Sequence, residues 1–232
     1  MHSKINFIAL VAARSGSKGI KNKNFIKIKK KNIVKAACDI AIQINEIQGV
    51  ILSSDSTSIL DLVPVNKKIL KIKRSKKLAQ DKTPMLPVLK NSILNYEKLK
   101  NNRVDAVIIF DPTSPLRLKK DIVKGIELFK IKKPDLLVSV HECQHNPYFS
   151  MLEKKKFFYK LSKGKKNIGS RQEAPKVFEI NTLVWIYSRN AIFVEKKRIP
   201  KKTIVLKTPY DRSIDIDTKE DIRKINYYLS TL

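Results

Sequence analysis

The sequence predicts an α/β protein in which a mostly parallel sheet carries helices on both faces. Short apolar runs of strand length recur along the chain, segments with apolar residues at helical spacing separate several of them, and polar or basic clusters follow the ends of the runs. Alternation of those two periods marks strand–helix–strand units, which build parallel sheets.

The first run, residues 5–12, is almost continuously apolar and ends in a loop with Gly16 and Gly19, the pattern of a buried strand and a turn. Residues 33–44 place Val34, Ala37, Ala41 and Ile44 at helical spacing. Further strands are expected at 49–52, 69–72, 104–110 and 136–140. Thr83 before Pro84 reads as an N-cap with proline in the first helical position, opening a helix toward Leu99. Other helices are expected at 119–130 and 218–229, the last with Ile222, Ile225 and Leu229 along one side. From about 142 to 179 the rhythm breaks: Phe157, Phe158 and Tyr159 sit among lysines, and Gly164 and Gly169 mark turns. This stretch reads as an excursion inserted into a single domain covering 1–232, with no internal repeat or long flexible linker.

In an open, Rossmann-like sheet of this kind, ligands bind beyond the carboxyl ends of the strands. The clusters at 14–24, 53–56, 74–81 and 111–117 each follow a strand and so fall on one edge.

Composition narrows the class. A hydrophobic content of 42% with 6 Gly and 10 Pro fits an ordered globular chain. No apolar stretch reaches bilayer length, and the N-terminal run enters polar loop residues instead of a small-residue cleavage site, so a cytoplasmic protein without membrane insertion is expected. Cys38 and Cys143 have no metal-type spacing, and His141 and His145 around Cys143 lack further ligands at a recognised interval. The net charge of +28 raises nucleic-acid binding, a class that predicts tight, steeply salt-dependent association with DNA or RNA and no need of a nucleotide. The basic runs are scattered, however, lysine far outweighs arginine, and no aromatic-interleaved motif accompanies them. A solvated basic surface, whose field also draws in small polyanions, is the better reading, with no specific nucleic-acid partner.

The loop RSGSKGIKNKN, Arg14 to Asn24, joins two glycines that permit close backbone approach to Arg14, Lys18, Lys21 and Lys23. Such a loop can wrap a triphosphate, although it lacks the spacing of a phosphate-loop ATPase. Arg74 offers a planar donor fork suited to a polar pyrimidine edge. Asp215 and Asp217, two apart on an extended segment, would present both carboxylates on one face, with Ile214 and Ile216 on the other. Hard oxygens so placed suit magnesium. The competing reading for Asp217 is a capping box with Glu220 at the start of the last helix. Asp111, where a strand end meets Pro112, is either a metal-side carboxylate or a turn cap.

The ordered series ARSGSKGIKNKN, LAQDKTP, DPTSPLR, RQEAP and SIDIDTKEDI resembles the bacterial N-acylneuraminate cytidylyltransferases from Ile8 to Ile222. The resemblance implies attack of the anomeric hydroxyl of an acidic nine-carbon, sialic-type sugar on the α-phosphate of CTP, with Mg2+ assisting and pyrophosphate leaving. It implies catalytic roles for Arg14, Lys23, Asp215 and Asp217, the two aspartates holding the metal. It assigns the nucleotide to Ser17, Lys18, Gly19, Asn24 and Arg74, and the sugar to Asp111, Arg171, Gln172 and Asn181, where an arginine can pair with a carboxylate. The excursion corresponds to a segment that contributes to dimerisation, so a homodimer is expected. Two positions depart from the family pattern: Asp111 replaces a common glutamine, and Asn181-Thr182 replaces Asn-Gly. Both concern the identity of the sugar, so legionaminic, pseudaminic and eight-carbon ulosonic acids are alternative acceptors. A silent scaffold on the same fold would bind nucleotide and release no pyrophosphate.

Overall fold

The computed structural model describes residues 5–16, 19–164 and 168–231. Its first half lays down β1 (Phe7–Ala12), a hairpin of β2 (Lys27–Ile28) and β3 (Lys31–Asn32), α1 (Ile33–Ile42), β4 (Ile47–Ser54), the single turn α2 (Thr57–Leu60), β5 (Ile69–Lys73) and α3 (Met85–Lys100). Then follow β6 (Ala106–Ile109), α4 (Lys119–Lys132), β7 (Leu136–Glu142), a hairpin of β8 (Leu152–Lys155) and β9 (Phe158–Leu161), β10 (Phe178–Ser188), β11 (Thr203–Lys207) and α5 (Lys219–Ser230).

Among the described residues a seven-stranded sheet has the order β11-β7-β10-β6-β1-β4-β5. β1 pairs in parallel with both β4 and β6, β4 with β5, and β7 with β11. β10 runs antiparallel between β6 and β7. The mostly parallel sheet expected from the sequence is therefore observed, but two of its strands, β10 and β11, lie where no strand was expected. β10 was hidden because its first half is broken in register and in burial: pairing with β7 shifts between Ile180 and Trp185.

Two apolar layers sandwich the sheet. One, containing Phe7, Ala9, Val11, Val34, Ala37, Ile122 and Ile126, lies under α1, α4 and α5; the other, containing Ile8, Leu10, Ile51, Leu89, Ile93, Trp185 and Tyr187, lies under α3. Alternate residues of β1 thus enter opposite cores, as the period-2 geometry of a fully buried strand requires. Gly49 in β4 lets Tyr96 of α3 pack directly on the strand: a Cβ there would stand 2.4 Å from the Tyr96 hydroxyl oxygen.

The helix starts differ from the sequence reading in two places. α3 begins one residue late, because Pro84 is extended (φ −62, ψ 156) and itself occupies the N-cap, while the Thr83 hydroxyl turns away to donate to the Lys77 carbonyl at 3.0 Å. At α5 the capping box is Thr218 with Asp221, and not Asp217 with Glu220. The Asp221 carboxylate accepts the backbone N–H of Thr218 at 2.7 Å and of Asp217 at 3.1 Å. One residue of phase decides this, and it releases the Asp217 side chain from the helix.

Between β7 and β10 the chain forms the β8–β9 hairpin, a two-stranded sheet of its own. The hairpin stands away from the seven-stranded sheet, with Phe157 89%, Phe158 75% and Tyr159 62% exposed, so these aromatics are not core residues of the chain. No helix of the described residues is long and apolar enough to cross a membrane.

Candidate active site

The carboxyl ends of β1, β4, β5 and β6 open on one side of the sheet, and the polar clusters converge there. A cavity of about 570 Å³ is bounded by Arg14, Gly19, Lys23 and Asn24 after β1, Arg74 after β5, Gln80 and Asp81 before α3, Asp111 and Thr113 after β6, and Asp215 and Asp217 before α5. β1 sits between β4 and β6, so the strand order reverses direction at its end, which is where such sheets form a binding crevice.

The loop after β1 is held by its own side chains. Asn24 Nδ2 donates to the Arg14 carbonyl at 2.7 Å, and Asn32, the N-cap of α1, donates to the Asn24 carbonyl at 2.9 Å. Gly19 packs against the backbone of the aspartate segment: a Cβ there would come within 2.8 Å of the Asp217 carbonyl oxygen. Neither backbone can yield cheaply, so only glycine lets the basic loop and the carboxylates close on the same space. Arg14 is ion-paired with Asp81, and Lys23 Nζ donates to Asp217 Oδ1 at 2.8 Å. Ser17 and Lys18 lie outside the described residues.

Arg74 is 8% exposed, lines the cavity, and has an Nε with no hydrogen-bond partner. Burial holds its guanidinium below the ordinary arginine value, while the Asp55 carboxylate opposes that shift. A buried donor left unpaired costs about 1–3 kcal/mol.

The loop after β6 is a network of hydroxyls and carboxylates. The Thr113 hydroxyl lies 2.9 Å from Asp111 Oδ1 and 3.1 Å from Asp215 Oδ1, and its single proton serves one of them at a time. Ser114 donates to Asp215 Oδ1 at 2.7 Å and pairs with the Thr182 hydroxyl at 2.6 Å. Backbone bonding joins the same elements, Ile216 N–H donating to the Thr113 carbonyl at 2.9 Å. Beneath them the buried Arg117 donates to the carbonyls of Leu183 and Thr182, both at 2.7 Å, and of Asp111 at 3.1 Å, with its guanidinium over the Phe110 ring. Arg117 thereby clamps the β6 loop to β10. Thr182, which stands in place of the family's glycine, uses its hydroxyl to extend this network.

Asp111 also accepts the Thr113 N–H at 3.3 Å, so the turn-capping reading is satisfied while the carboxylate still borders the cavity. Burial first, and then the neighbouring Asp215 carboxylate, push its carboxyl above the usual range. The folded state therefore holds this proton more tightly than the unfolded chain does, and the stability gained at low pH is lost as pH rises from the ordinary carboxylate value through the raised one. Asp111→Asn keeps the acceptor oxygen for Thr113 and removes the charge. It is expected to melt above the parent at pH 7–8, with the gap closing toward about pH 4. Melting curves across that range check this, and a gap independent of pH would contradict it.

The three remaining residues assigned to the sugar lie elsewhere. Arg171 and Gln172 occupy an exposed 3-10 turn, Arg171–Glu173, and border neither this cavity nor the one beside it. Asn181 is buried, donating to Thr208 Oγ1 at 2.9 Å and Ser213 Oγ at 3.1 Å while accepting from Leu183 N–H at 3.2 Å, so it braces the β10 irregularity. Asp81, Thr113, Ser114 and Arg117 belong to LAQDKTP and DPTSPLR, the motifs that carried the resemblance, yet no site role was expected of them. Their sequence signal was membership of those motifs, and their contacts are visible only in three dimensions.

Residues 8–229 match the family model described as cytidylyltransferase. The chain belongs to the cytidylyltransferase family. Among similar proteins, this cytidylyltransferase is 27% identical over 96% of its length to the post-translational flagellin modification protein B of Campylobacter coli, covering 94% of that protein. It is 29% identical to the CMP-N,N'-diacetyllegionaminic acid synthase of Campylobacter jejuni, covering 96% of this chain and 94% of that one. It is 24% identical to an N-acylneuraminate cytidylyltransferase of Streptococcus agalactiae, over 92% of this chain and 51% of that one. Among solved structures, CMP:2-keto-3-deoxy-manno-octonic acid synthetase complexed with CTP superposes with a TM-score of 0.67 at 12% identity, covering 97% of this chain and 99% of that one. The last likeness is one of fold, and it agrees with the Rossmann-like sheet.

Proposed function

We propose that this cytidylyltransferase transfers CMP from CTP to the anomeric hydroxyl of a sialic-type nonulosonic acid, releasing pyrophosphate. The reading is supported above all by the convergence of the basic pair Arg14 and Lys23 with the carboxylate pair Asp215 and Asp217 on one cavity, which Arg74 also lines. The relatives' names support a nonulosonic acid and include both sialic and legionaminic types, so legionaminic acid is the leading alternative acceptor.

In this reading the sugar hydroxyl oxygen bonds to the α-phosphorus. The bond from that phosphorus to the bridging oxygen breaks, its electron pair leaving on pyrophosphate, and the hydroxyl proton is lost to water. Arg14 and Lys23 neutralise the triphosphate, exchanging their present carboxylate partners for phosphate oxygens. Such preorganised charge is worth most where it faces charge that develops during reaction. Arg74 meets the cytosine edge, and Asn24 and Gly19 set the loop.

Magnesium fits the donors present. Among the described residues no three or more His, Cys, Asp or Glu side chains form a self-sufficient metal cage. The carboxylates of Asp215 and Asp217 at a phosphate-sized cavity are instead the donor set of a cation that takes its other ligands from phosphate and water. Bound there, the ion would neutralise phosphate oxygens and polarise the phosphorus.

The exposed hairpin of β8 and β9, with its uncovered Phe157 and Phe158, supports pairing of two subunits through the excursion. Light scattering that shows only monomer at high concentration would rule this out.

Pyrophosphate release from CTP and magnesium, measured with N-acetylneuraminic, N,N'-diacetyllegionaminic, pseudaminic and 3-deoxy-octulosonic acids in turn, tests the reaction. Release is expected with a nine-carbon acid. Silence with every acid, together with no binding of CTP, would overturn the reading; tight salt-dependent nucleic-acid binding in its place would favour the rival class.

A further inference from the structure

The segment that carries Asp215 and Asp217 lies outside the sheet. β11 ends at Lys207, and the chain then runs to the cavity through a 3-10 turn, Tyr210–Arg212. Backbone hydrogen bonds tie it to other elements at Thr208, whose N–H donates to the Val140 carbonyl at 2.8 Å, and at Ile216. Between these points side chains hold it. Asn181 reaches Ser213, and Arg212, only 7% exposed, forms a bidentate pair with Asp121 of α4: Nη1 donates to Oδ2, and Nη2 to Oδ1 at 3.2 Å. Asp121 stands in the first turn of α4, where the positive end of the helix favours a carboxylate. α4 itself is fixed, with Ile122, Ile126 and Phe129 buried and Gly125 so near β10 that a Cβ would lie 3.0 Å from Val184 Cγ1.

The loop after β6 continues directly into α4. It is joined to the carboxylate segment by the Ile216–Thr113 backbone bond, by Ser114 on Asp215, and by Arg212 on Asp121, the last outside the cavity wall. A paired guanidinium–carboxylate contact sets orientation as well as distance. We propose that the Arg212–Asp121 pair positions the metal-side carboxylates: it fixes the path of residues 213–217, and thereby where Asp215 stands against Thr113 and Ser114. Neither partner lines the cavity, so both are positioning residues that touch no substrate. The inference rests on the reading of Asp215 and Asp217 as magnesium ligands. Residues that orient metal ligands change metal affinity or activity by about 10–100-fold when replaced.

Calorimetry on the intact protein, with no acceptor acid, measures CTP binding with magnesium present and again with the metal chelated. The ratio of the two affinities is the contribution of the metal. Arg212→Lys keeps the charge and gives up the paired fork. In this variant the metal contribution is expected to fall by at least about tenfold, while CTP binding without metal stays within about twofold of the parent. Asp121→Asn is expected to do the same, and the double variant to lose no more than the worse single one, because the two side chains act as a unit. Arg189→Lys loosens another arginine–carboxylate pair, with Glu97 of α3, and supplies the control for lost stability alone. It is expected to melt lower than the parent and to keep the full metal contribution. A metal contribution at the parent level in Arg212→Lys and Asp121→Asn, losses that add in the double variant, or an equal loss in Arg189→Lys would each overturn the proposal. No metal contribution in the parent would instead strike the magnesium reading, and the positioning role with it, so the two failures are distinguishable.

Discussion

Asp217→Asn is expected to lose on the order of a hundredfold or more of magnesium-dependent CMP-sugar synthesis while melting close to the parent protein. The separation is possible because the α5 cap is built from other residues. Thr218 Oγ1 accepts the Asp221 N–H at 3.3 Å, and the Asp221 carboxylate returns to the Thr218 N–H, so the reciprocal pair closes without Asp217. The Asp217 side chain is 77% exposed, its carboxylate accepts from Lys23, and it faces the cavity. Asparagine still accepts a hydrogen bond from Lys23 but lacks the charge that a magnesium ligand supplies. Thr218→Ala supplies the opposite control: a loss of about 1 kcal/mol of stability with catalysis largely kept. Asp215→Asn is expected to behave as Asp217→Asn does, because its oxygen can still accept from Ser114 and Thr113. Pyrophosphate release across a magnesium titration, with melting curves alongside, measures all three. Full activity of Asp217→Asn at ordinary magnesium would remove that residue from the metal site and leave the proposed chemistry without its centre.

Lys23→Ala and Arg14→Ala are each expected to reduce turnover by about 10²–10³-fold without unfolding the chain. Both side chains stand in the loop after β1, whose backbone is fixed by Asn24 and Asn32, so truncating the charges leaves its path intact. Their partners also predict how the losses differ. Lys23→Ala strips the counter-ion from Asp217, and so it should tighten the apparent magnesium requirement less than it harms CTP affinity. Arg14→Ala removes a cation from the wall of the triphosphate space, and a rise in CTP KM should be its larger effect. Steady-state kinetics in CTP and magnesium separate these outcomes. Pyrophosphate release at the parent rate in both variants would refute the nucleotide site.

Much of this arrangement was legible in the order of residues. Strands β1, β4, β6 and β7 are fully or largely buried and β5 is a half-buried edge strand, and each appears as an apolar run that needs no partner to be seen. Because a sheet of this topology gathers its strand ends on one edge, the positions of Arg14, Lys23, Arg74 and Asp111 in the chain already implied a common site, to which the resemblance added Asp215 and Asp217, and the cavity has all six in its wall. Gly19 was likewise readable as a point of close approach, although the backbone it approaches, that of Asp217, lies 198 residues further along.

Other features depend on contacts between distant segments. β10 owes its place to hydrogen bonds with two neighbours, and its irregular half is satisfied by the Asn181 side chain, a pairing that no local pattern encodes. The cap of α5 turned on whether residue 217 or 218 took the extended N-cap geometry, a choice of one residue set by the Ile216–Thr113 backbone bond and the packing of Ile216 into the core. The Arg212–Asp121 pair joins side chains 91 residues apart that form no motif. Sequence by itself determined the parallel sheet, the edge on which the polar clusters gather and most of the charged groups that line the cavity there, because burial and strand-end placement are local signals. Tertiary structure alone decided which carboxylate is free of the helix cap, which polar side chains are spent on bracing the sheet, and which carboxylate Arg212 meets, because each depends on the partner that folding brings within hydrogen-bonding reach.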